Sequence, residues 1–484
     1  ILNGEYEVIE AEIIETSELI NKELKNTDLP EEIRNYFYPL QPDGMNTILP
    51  SKKASSIKKG PGPKLNRGRP SIESSNQIMA SFDLGYKLLN NHKFREGVGS
   101  NNWVVNNKKT NGNRSIIAND PHLPLTLPEA FYEAHLVTDS LSLYGFTIPG
   151  VPLIISGHND KVAWGITNGE WDLVDKYKLQ VKGDSLYLYE GKWIPFEVEQ
   201  YTIKVKGKPD YVEKNKKTIH GKVIKKGKGE YYAQHWYAAD KSKSVKAIYE
   251  VMKSQNWDGF KKALENYSYP PQNFVYSDIS ENIGIVCAGE LPQRKPDYVG
   301  QVLDGTKTYT PSKPFDSLWY DFNPAQGYLF SANQQPIQNN IYFGAHGLKD
   351  NYRAKHIYSL LEENETWNVQ EIKQMQTDEV DISYKDFKDL LKNFTIHEKY
   401  GDIVEKLKEW NGDMSYNSDQ ALMYEVLRNV ALEESKLFAS KTLKVNKEPS
   451  LQNFLKYLND KKFTIPGAAD KQDIVKEIFA KTDA

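Results

Sequence analysis

Ser100 stands where a glycine-containing stretch of the sequence meets a predicted strand. In the run Gly97-Val-Gly-Ser-Asn-Asn-Trp-Val-Val105, two glycines precede the serine and residues that favour extended structure follow it. A serine hydroxyl is a weak nucleophile until a base takes its proton, and a freed α-amine, with a reference pKa of about 8, is such a base on the same residue. Cutting the Gly99–Ser100 bond would therefore create nucleophile and base together. Taken alone the pattern is weak, because a serine after glycine is usually a turn residue.

Four ordered blocks of sequence surround this junction and give it a context. The first is Gly99-Ser-Asn-Asn-Trp103. The second comprises Ala118-Asn-Asp-Pro-His122, Phe146-Thr-Ile-Pro-Gly-Val-Pro152, Gly157-His-Asn159 and Ala163-Trp-Gly-Ile-Thr-Asn168. The third comprises Gln272-Asn-Phe-Val-Tyr-Ser-Asp278, Asn282-Ile-Gly284 and Pro292-Gln-Arg294, and the fourth Ser331-Ala-Asn-Gln-Gln-Pro336, Asn351-Tyr-Arg-Ala354 and Gln376-Thr-Asp378. Together they resemble the penicillin acylase family of N-terminal nucleophile hydrolases, from about residue 30 to residue 425.

The resemblance implies four catalytic residues. Ser100 would be the nucleophile, and the oxyanion formed on attack would be bound by the side-chain amide of Asn333 and the backbone N–H of Asn168. One such donor is worth about 3–4 kcal/mol of barrier. His122 would orient the serine or contact the acyl carbonyl. Apart from the resemblance, an asparagine after a strand is normally a turn former and a histidine after Asp-Pro a satisfied loop residue.

The segment Asp172-Leu-Val-Asp175 carries two carboxylates three residues apart with a carbonyl between them. Oxygen ligands of this kind suit a hard cation. The resemblance implies a structural calcium ion held by Asp172, the carbonyl of Val174 and Asp175, and no organic cofactor. The family's further acidic ligand after the Asn333 block is not recognisable here. Two surface carboxylates without a metal are the alternative.

Composition limits the remaining classes of function. The formal net charge is −3, no long apolar run suits a membrane span, and the single cysteine, Cys287, excludes an intrachain disulfide. We therefore expect a small-molecule partner, with no nucleic acid and no membrane insertion. The basic residues within 52–69 lie among glycine, proline and serine, which is typical of a flexible linker, although a nucleic-acid-binding segment is the alternative.

Hydrophobic periodicity predicts the order of the elements. Two helices are expected within residues 1–40, one around 16–24 and one around 29–37. Short strands are expected after Ser100, among them Leu153-Ile-Ile-Ser156, then a β-rich lobe over 175–235, a helix over 242–266 and mainly helices beyond Tyr352. Strands followed by helices favour the α+β class. The resemblance adds a four-layer αββα sandwich with the β-rich lobe and a helical C-terminal part attached.

The family's subunit organisation implies three parts of this chain. Residues 1–45 would be the C-terminal part of the small subunit, 46–99 a spacer, and 100–484 the catalytic core of the large subunit, truncated at its C-terminus. After cutting, the small subunit would be the partner in a heterodimer, exported to the periplasm or outside the cell. The expected activity is hydrolysis of a linear amide with a hydrophobic acyl group, contacted by Leu123, Phe146 and residues 148–151. The alternative is an exported binding protein that keeps the fold without catalysis.

Overall fold

The computed structural model describes residues 29–39, 46–49, 99–110, 112, 114–123, 127, 129–226, 230–239, 242–292, 302–309, 318–337, 351–445 and 448–482. The expected helix near residues 16–24, the basic run 52–69 and most of the predicted small-subunit and spacer segments lie outside these residues. The second expected N-terminal helix is confirmed as Glu31–Phe37. Its first turn carries two glutamates, which suit the positive end of the helix dipole.

The described residues form a mixed architecture of sheets and ten helices. The strands are β1 (Gly99–Val105), β2 (Ile116–His122), β3 (Tyr132–Thr138), β4 (Leu141–Thr147), β5 (Ser156–His158), β6 (Val162–Asn168), β7 (Val174–Leu179), β8 (Val181–Lys182), β9 (Leu186–Tyr189), β10 (Lys192–Pro195), β11 (Glu197–Ile203), β12 (Tyr211–Thr218), β13 (Gly221–Lys226), β14 (Glu230–Trp236), β15 (Gln272–Asp278), β16 (Ile283–Ala288), β17 (Val302–Asp304), β18 (Trp319–Phe322) and β19 (Tyr328–Ser331). The helices are α1 (Glu31–Phe37), α2 (Ser244–Met252), α3 (Trp257–Leu264), α4 (Tyr352–Glu363), α5 (Val369–Gln376), α6 (Tyr384–Asn393), α7 (Gly401–Glu409), α8 (Asp419–Phe438), α9 (Leu451–Asn459) and α10 (Lys471–Thr482). Among these helices, none combines the length and apolar composition that crossing a bilayer requires.

Two sheets stack on each other on either side of the predicted nucleophile. One is the antiparallel sheet β19-β1-β2, and the other is the seven-stranded sheet β18-β16-β15-β6-β5-β4-β3. Because side chains alternate along a strand, Val104 of β1 faces the larger sheet and packs with Val275 and Ile285, whereas Trp103 faces the other way. Ser100 and Asn102 share the face of Val104. The alternation therefore places the serine between the two sheets.

Helices pack against residues of both sheets. Trp103 and Phe330 pack against Ala354 and Ile357 of α4, while Phe274 on the outer face of the larger sheet packs against α2 and α3. Helices α6 to α10, together with α1, form a separate apolar cluster. The structure thus follows the expected order, with strands before residue 332 and mainly helices after residue 351.

The predicted β-rich lobe is present as the six-stranded sheet β11-β12-β13-β14-β7-β17 and the small sheet β10-β9-β8. Its core is aromatic and includes His220, which is 7% exposed. The imidazole ring stacks on Tyr177 with ring centroids 4.2 Å apart, and its Nε2 lies 3.1 Å from the Gly305 carbonyl oxygen. The lobe connects directly to the site because β7 follows β6 after a short segment.

Two local predictions were wrong. The run Leu153-Ile-Ile-Ser156 was expected to be a strand, but strand structure begins only at Ser156. The Leu153 N–H donates to the Val151 carbonyl, so the chain turns there while Leu153 and Ile154 still enter the core. The expected single helix over 242–266 is two helices, α2 and α3. The Asn256 side chain accepts from the Gly259 N–H, which caps a second helix at that point.

Candidate active site

Ser100 is the second residue of β1 and is 7% exposed. It pairs with Pro121 of β2, and its hydroxyl lies near the end of β6 and the turn that follows β19. In this chain the Ser100 nitrogen is a peptide N–H, which donates to Asn333 Oδ1 at 2.8 Å. The predicted nucleophile is therefore fixed by backbone pairing on one side and by an asparagine on the other.

Asn333 and Asn168 both approach the serine hydroxyl. Asn333 Nδ2 donates to Ser100 Oγ at 3.1 Å, and the Asn168 backbone N–H lies 3.4 Å from the same oxygen. Asn333 has a φ of 65°, in the left-handed region that asparagine adopts more readily than most residues. The turn after β19 thus aims a side-chain amide at the serine. The structure brings together three of the four residues that the sequence predicted to be catalytic.

His122 does not pair with Ser100 in the β1–β2 sheet but lies one residue beyond the partner of Ser100. It pairs with Gly99 in the β1–β2 register, and alternation places its side chain on the helix-facing side of the sheet, opposite Ser100. Its Nε2 lies 2.9 Å from Asp120 Oδ2 and 3.4 Å from Asn101 Nδ2. The predicted role of His122 in orienting the serine or contacting the acyl group stays a prediction.

Arg353 is a further residue at the site, to which the sequence assigned no role. The guanidinium donates to the Ser100 carbonyl at 2.7 Å, to Asn101 Oδ1 at 2.6 Å and to Asn333 Oδ1 at 2.9 Å. Burial lowers the pKa of Arg353, and the negative charge of Glu170 acts in the opposite direction. This fork of donors fixes the Asn333 amide so that its nitrogen faces Ser100. Arg353 lies in the block Asn351-Tyr-Arg-Ala354, and this was the feature of the sequence that could have pointed to it.

Gly99, the residue before the serine, lies where there is little space for a side chain. An added Cβ at this position would lie 2.8 Å from Arg353 Nη2 and 3.2 Å from Asn333 Oδ1. Both atoms belong to side chains that are tied to Ser100 by hydrogen bonds. A larger residue would therefore displace the groups that surround the bond expected to be cut.

The predicted calcium ligands lie just beyond β6. Asp172 and Asp175 are buried; Val174 N–H donates to Asp172 Oδ1 at 3.3 Å and the Tyr237 hydroxyl to Asp175 Oδ2 at 2.9 Å. Calcium takes about six to eight oxygen ligands, so two carboxylates and the Val174 carbonyl fit part of its shell. In the described part of the chain, no cluster of three or more His, Cys, Asp or Glu side chains could hold a metal.

Comparisons with known proteins bear on the family and the fold of this chain. A profile described as penicillin amidase matches residues 6–482. The chain is similar to a thermostable penicillin G acylase from Alcaligenes faecalis of known structure, with a TM-score of 0.68, 20% identity, and coverage of 79% of this chain and 77% of that one. This likeness concerns the fold.

Curated relatives match over a shorter part of their length. The acyl-homoserine lactone acylase QuiP of Pseudomonas fluorescens strain Pf0-1 is 28% identical over 342 residues, which are 65% of this chain and 40% of that protein. The penicillin G acylase of Escherichia coli is 26% identical over 345 residues, 66% of this chain and 40% of that protein. The chain thus spans 40% of the length of each. With the profile matched over nearly all of its residues, this chain belongs to the penicillin amidase family.

Proposed function

We propose that this protein is a self-processing acylase, in which Ser100 becomes an N-terminal nucleophile that hydrolyses a linear amide. The observation that carries the proposal is the convergence of two hydrogen-bond donors, Asn333 Nδ2 and the Asn168 N–H, on Ser100 Oγ. Donors fixed in this way stabilise the charge that develops when a serine attacks a carbonyl. Membership in the penicillin amidase family supports the same reaction class.

Self-cutting would use the same hydroxyl as catalysis. Ser100 Oγ attacks the Gly99 carbonyl carbon, an ester bond forms as the Gly99–Ser100 C–N bond breaks, and the serine nitrogen takes up the proton. Water then hydrolyses the ester and leaves a carboxylate on Gly99. The hydrogen bonds from the Ser100 N–H to Asn333 and from Arg353 to the Ser100 carbonyl hold the bond in place for this attack.

Amide hydrolysis follows with the freed α-amine as the base. The amine takes the Ser100 hydroxyl proton, Oγ attacks the substrate carbonyl, and the oxyanion is bound by Asn333 Nδ2–H and the Asn168 N–H. The leaving amine departs with a proton, and water hydrolyses the acyl-enzyme. Arg353 keeps the Asn333 amide turned toward the reacting carbon. In this scheme His122 influences Ser100 from the opposite face of the sheet, through its contacts with Asn101 and Asp120.

The substrate is proposed to carry a hydrophobic acyl group. Phe146 of β4 is 46% exposed, and its ring centroid lies 6.4 Å from that of Phe131, so apolar surface is available. Relatives of this chain are named acyl-homoserine lactone acylase and penicillin G acylase, and these names support an acylated small molecule as the substrate. We propose an N-acyl-homoserine lactone or a β-lactam side-chain amide as the substrate class.

The remaining expectations belong to the same proposal. The sheet pair with helices outside it is proposed to be the αββα sandwich, residues 1–45 the end of a small subunit, 46–99 a spacer and 100–484 the large-subunit core. A calcium ion at Asp172, Val174 and Asp175 would stabilise the segment that links β6 to the lobe. Location in the periplasm or outside the cell is likewise proposed.

The first experiment is intact-mass analysis with N-terminal sequencing of the purified protein and of Ser100→Ala. We expect the unmodified protein to contain a chain beginning Ser-Asn-Asn-Trp, and the variant to stay a single chain. Both are then assayed with an N-acyl-homoserine lactone and with penicillin G, and only the cut protein should release amine. An uncut, inactive protein would favour the binding-protein alternative, and a cut or active Ser100→Ala would refute Ser100 as the nucleophile.

A further inference from the structure

Asn273 is a fully buried polar residue directly behind the two oxyanion donors. It is the second residue of β15, is 0% exposed, and pairs with Thr167 in the neighbouring strand β6. Its Nδ2 lies 3.3 Å from the Asn168 carbonyl oxygen, 3.2 Å from Thr167 Oγ1 and 3.3 Å from Ser331 Oγ. One amide group thus contacts the end of β6 and the end of β19 at once.

The orientation of this amide follows from its partners. A backbone carbonyl only accepts hydrogen bonds, so the side-chain nitrogen of Asn273, and not its oxygen, must face Asn168. The same carbonyl accepts from Asn333 Nδ2 at 2.9 Å. The side chains of Asn273 and Asn333 therefore meet on one acceptor, which belongs to the residue whose N–H approaches Ser100.

The second branch of the network reaches Asn333 through its backbone. Ser331 Oγ accepts the Asn333 N–H at 3.2 Å and lies 2.7 Å from Thr167 Oγ1. Asn273 Nδ2 contacts both of these hydroxyl oxygens. A change at Asn273 would consequently reach the peptide at Asn168 and the left-handed turn at Asn333 by two separate routes.

We propose that Asn273 is a positioning residue for the oxyanion site, which holds the backbone of Asn168 and the turn at Asn333 in one geometry. This inference rests on the proposed acylase function. Oxyanion donors act only at hydrogen-bond distance from the developing charge, so a small shift of either one costs rate more than substrate affinity. A merely structural buried asparagine would affect the free energy of unfolding and leave catalysis alone.

Asn159 provides the matched control for this distinction. It is also buried, and its Nδ2 donates to two backbone carbonyls, Met252 at 3.0 Å and Ser254 at 2.9 Å. It lies after β5, away from the Ser100 contacts. Replacing either asparagine by leucine, which has a similar branched shape, removes its hydrogen bonds and leaves a buried partner unsatisfied.

The experiment compares Asn273→Leu with Asn159→Leu in kcat, KM, melting temperature and rate of precursor cutting. We expect Asn273→Leu to lower kcat about 10- to 100-fold, less than the roughly 100- to 1,000-fold loss from removing an oxyanion donor, with KM nearly unchanged. Asn159→Leu should lower the melting temperature and keep kcat. If Asn273→Leu does not fold, Asn273→Ala removes the same amide nitrogen without adding bulk, and it should show the same loss of kcat.

A double variant gives the decisive readout. Because one of the two routes runs through Asn333, Asn273→Leu should cost less in kcat when Asn333 is already glycine than it does alone, and the loss that remains measures the route through Asn168. Fully multiplicative losses would overturn the coupling of Asn273 to Asn333, and a kcat of Asn273→Leu equal to that of the unmodified protein would overturn the positioning role while the acylase function stands. An unmodified protein that is neither cut nor active would overturn both together.

Discussion

The side-chain amide nitrogen of Asn333 lies 3.1 Å from the hydroxyl oxygen of Ser100, 233 positions earlier in the chain. The contact depends on the left-handed backbone of Asn333 and on Arg353, which donates to the oxygen of the same amide. Loss of this side chain should therefore remove both the donor to the Ser100 hydroxyl and the acceptor of the Ser100 N–H, so that precursor cutting slows as well as amide hydrolysis.

Asn333→Gly is expected to lower kcat about 100- to 1,000-fold with little change in KM, because it removes the donor while glycine adopts the positive φ without strain. Asn323→Gly is the control, since Asn323 also has a positive φ, of 48°, outside the site. Steady-state kinetics on both variants checks this. Equal activity of Asn333→Gly and the unmodified protein would remove Asn333 from the mechanism.

Gly99→Ala is expected to slow precursor cutting and to leave the activity of the cut protein unchanged. The new Cβ would meet Arg353 and Asn333 before the cut, whereas residue 99 is no longer bonded to Ser100 after it. Intact mass followed over time after expression measures the rate. Gly401→Ala is the control, because a Cβ there would meet no atom within 4 Å apart from its chain neighbours and the backbone of its own helix. Cutting of Gly99→Ala at the unmodified rate would contradict the steric argument.

The buried His220 predicts a loss of stability in mild acid. Burial lowers its pKa in the folded protein, with His235 acting in the same direction and the Gly305 carbonyl and Asp304 opposing. As pH falls below about 6.5, the unfolded chain binds a proton that the folded lobe resists, so the free energy of unfolding decreases.

His220→Phe keeps an aromatic ring against Tyr177 but cannot titrate. Its melting temperature should fall less between pH 7.5 and pH 5.5 than that of the unmodified protein, even if it is lower at pH 7.5 through loss of the bond to Gly305. Thermal unfolding at both pH values makes the comparison. Parallel decreases in the two proteins would show that another group causes the acid response.

If the proposed calcium ion is bound at Asp172, Val174 and Asp175, its removal should lower the melting temperature by several degrees, since an ion bound only by the folded state stabilises that state by mass action. A chelator titration, with calcium added back, measures the effect. Asp172→Asn should abolish the response, and Asp210→Asn, at an exposed position, should keep it. A melting temperature indifferent to chelator in the unmodified protein would rule out a stabilising calcium ion.

Much of the site was accessible from sequence because its residues lie in recognisable blocks. Ser100, Asn168 and Asn333 were assigned from such blocks, and the structure places them in contact. Arg353 and Asn273 lay in equally visible blocks but received no role. The roles proposed for them depend on how α4 and β15 pack against β1. Contacts between elements so far apart in the chain leave no periodic pattern in the local sequence that would predict them.

The strand predictions were limited in the same way, because the sequence does not show how neighbouring strands pair. A period of two predicts which residues share a face of β2, but only the register with β1 shows that His122 lies opposite Gly99 and not Ser100. The run Leu153–Ser156 has strand-like composition, yet the Phe146 carbonyl and a tight turn at Val151 determine its backbone. The apolar residues of this run indicate that it is buried, but they do not indicate a strand, because a segment without strand structure can be buried as well.

The dispersion of the site along the chain ties chemistry to the completion of folding. Ser100 meets Asn168, Asn333 and Arg353 only after segments 68, 233 and 253 positions away have joined β1. On the proposed function, a polypeptide still emerging or half-collapsed holds an inert serine inside an intact peptide bond. Cutting would then occur only in chains that have completed folding, so that every molecule with a free Ser100 amine would already have its distant segments assembled.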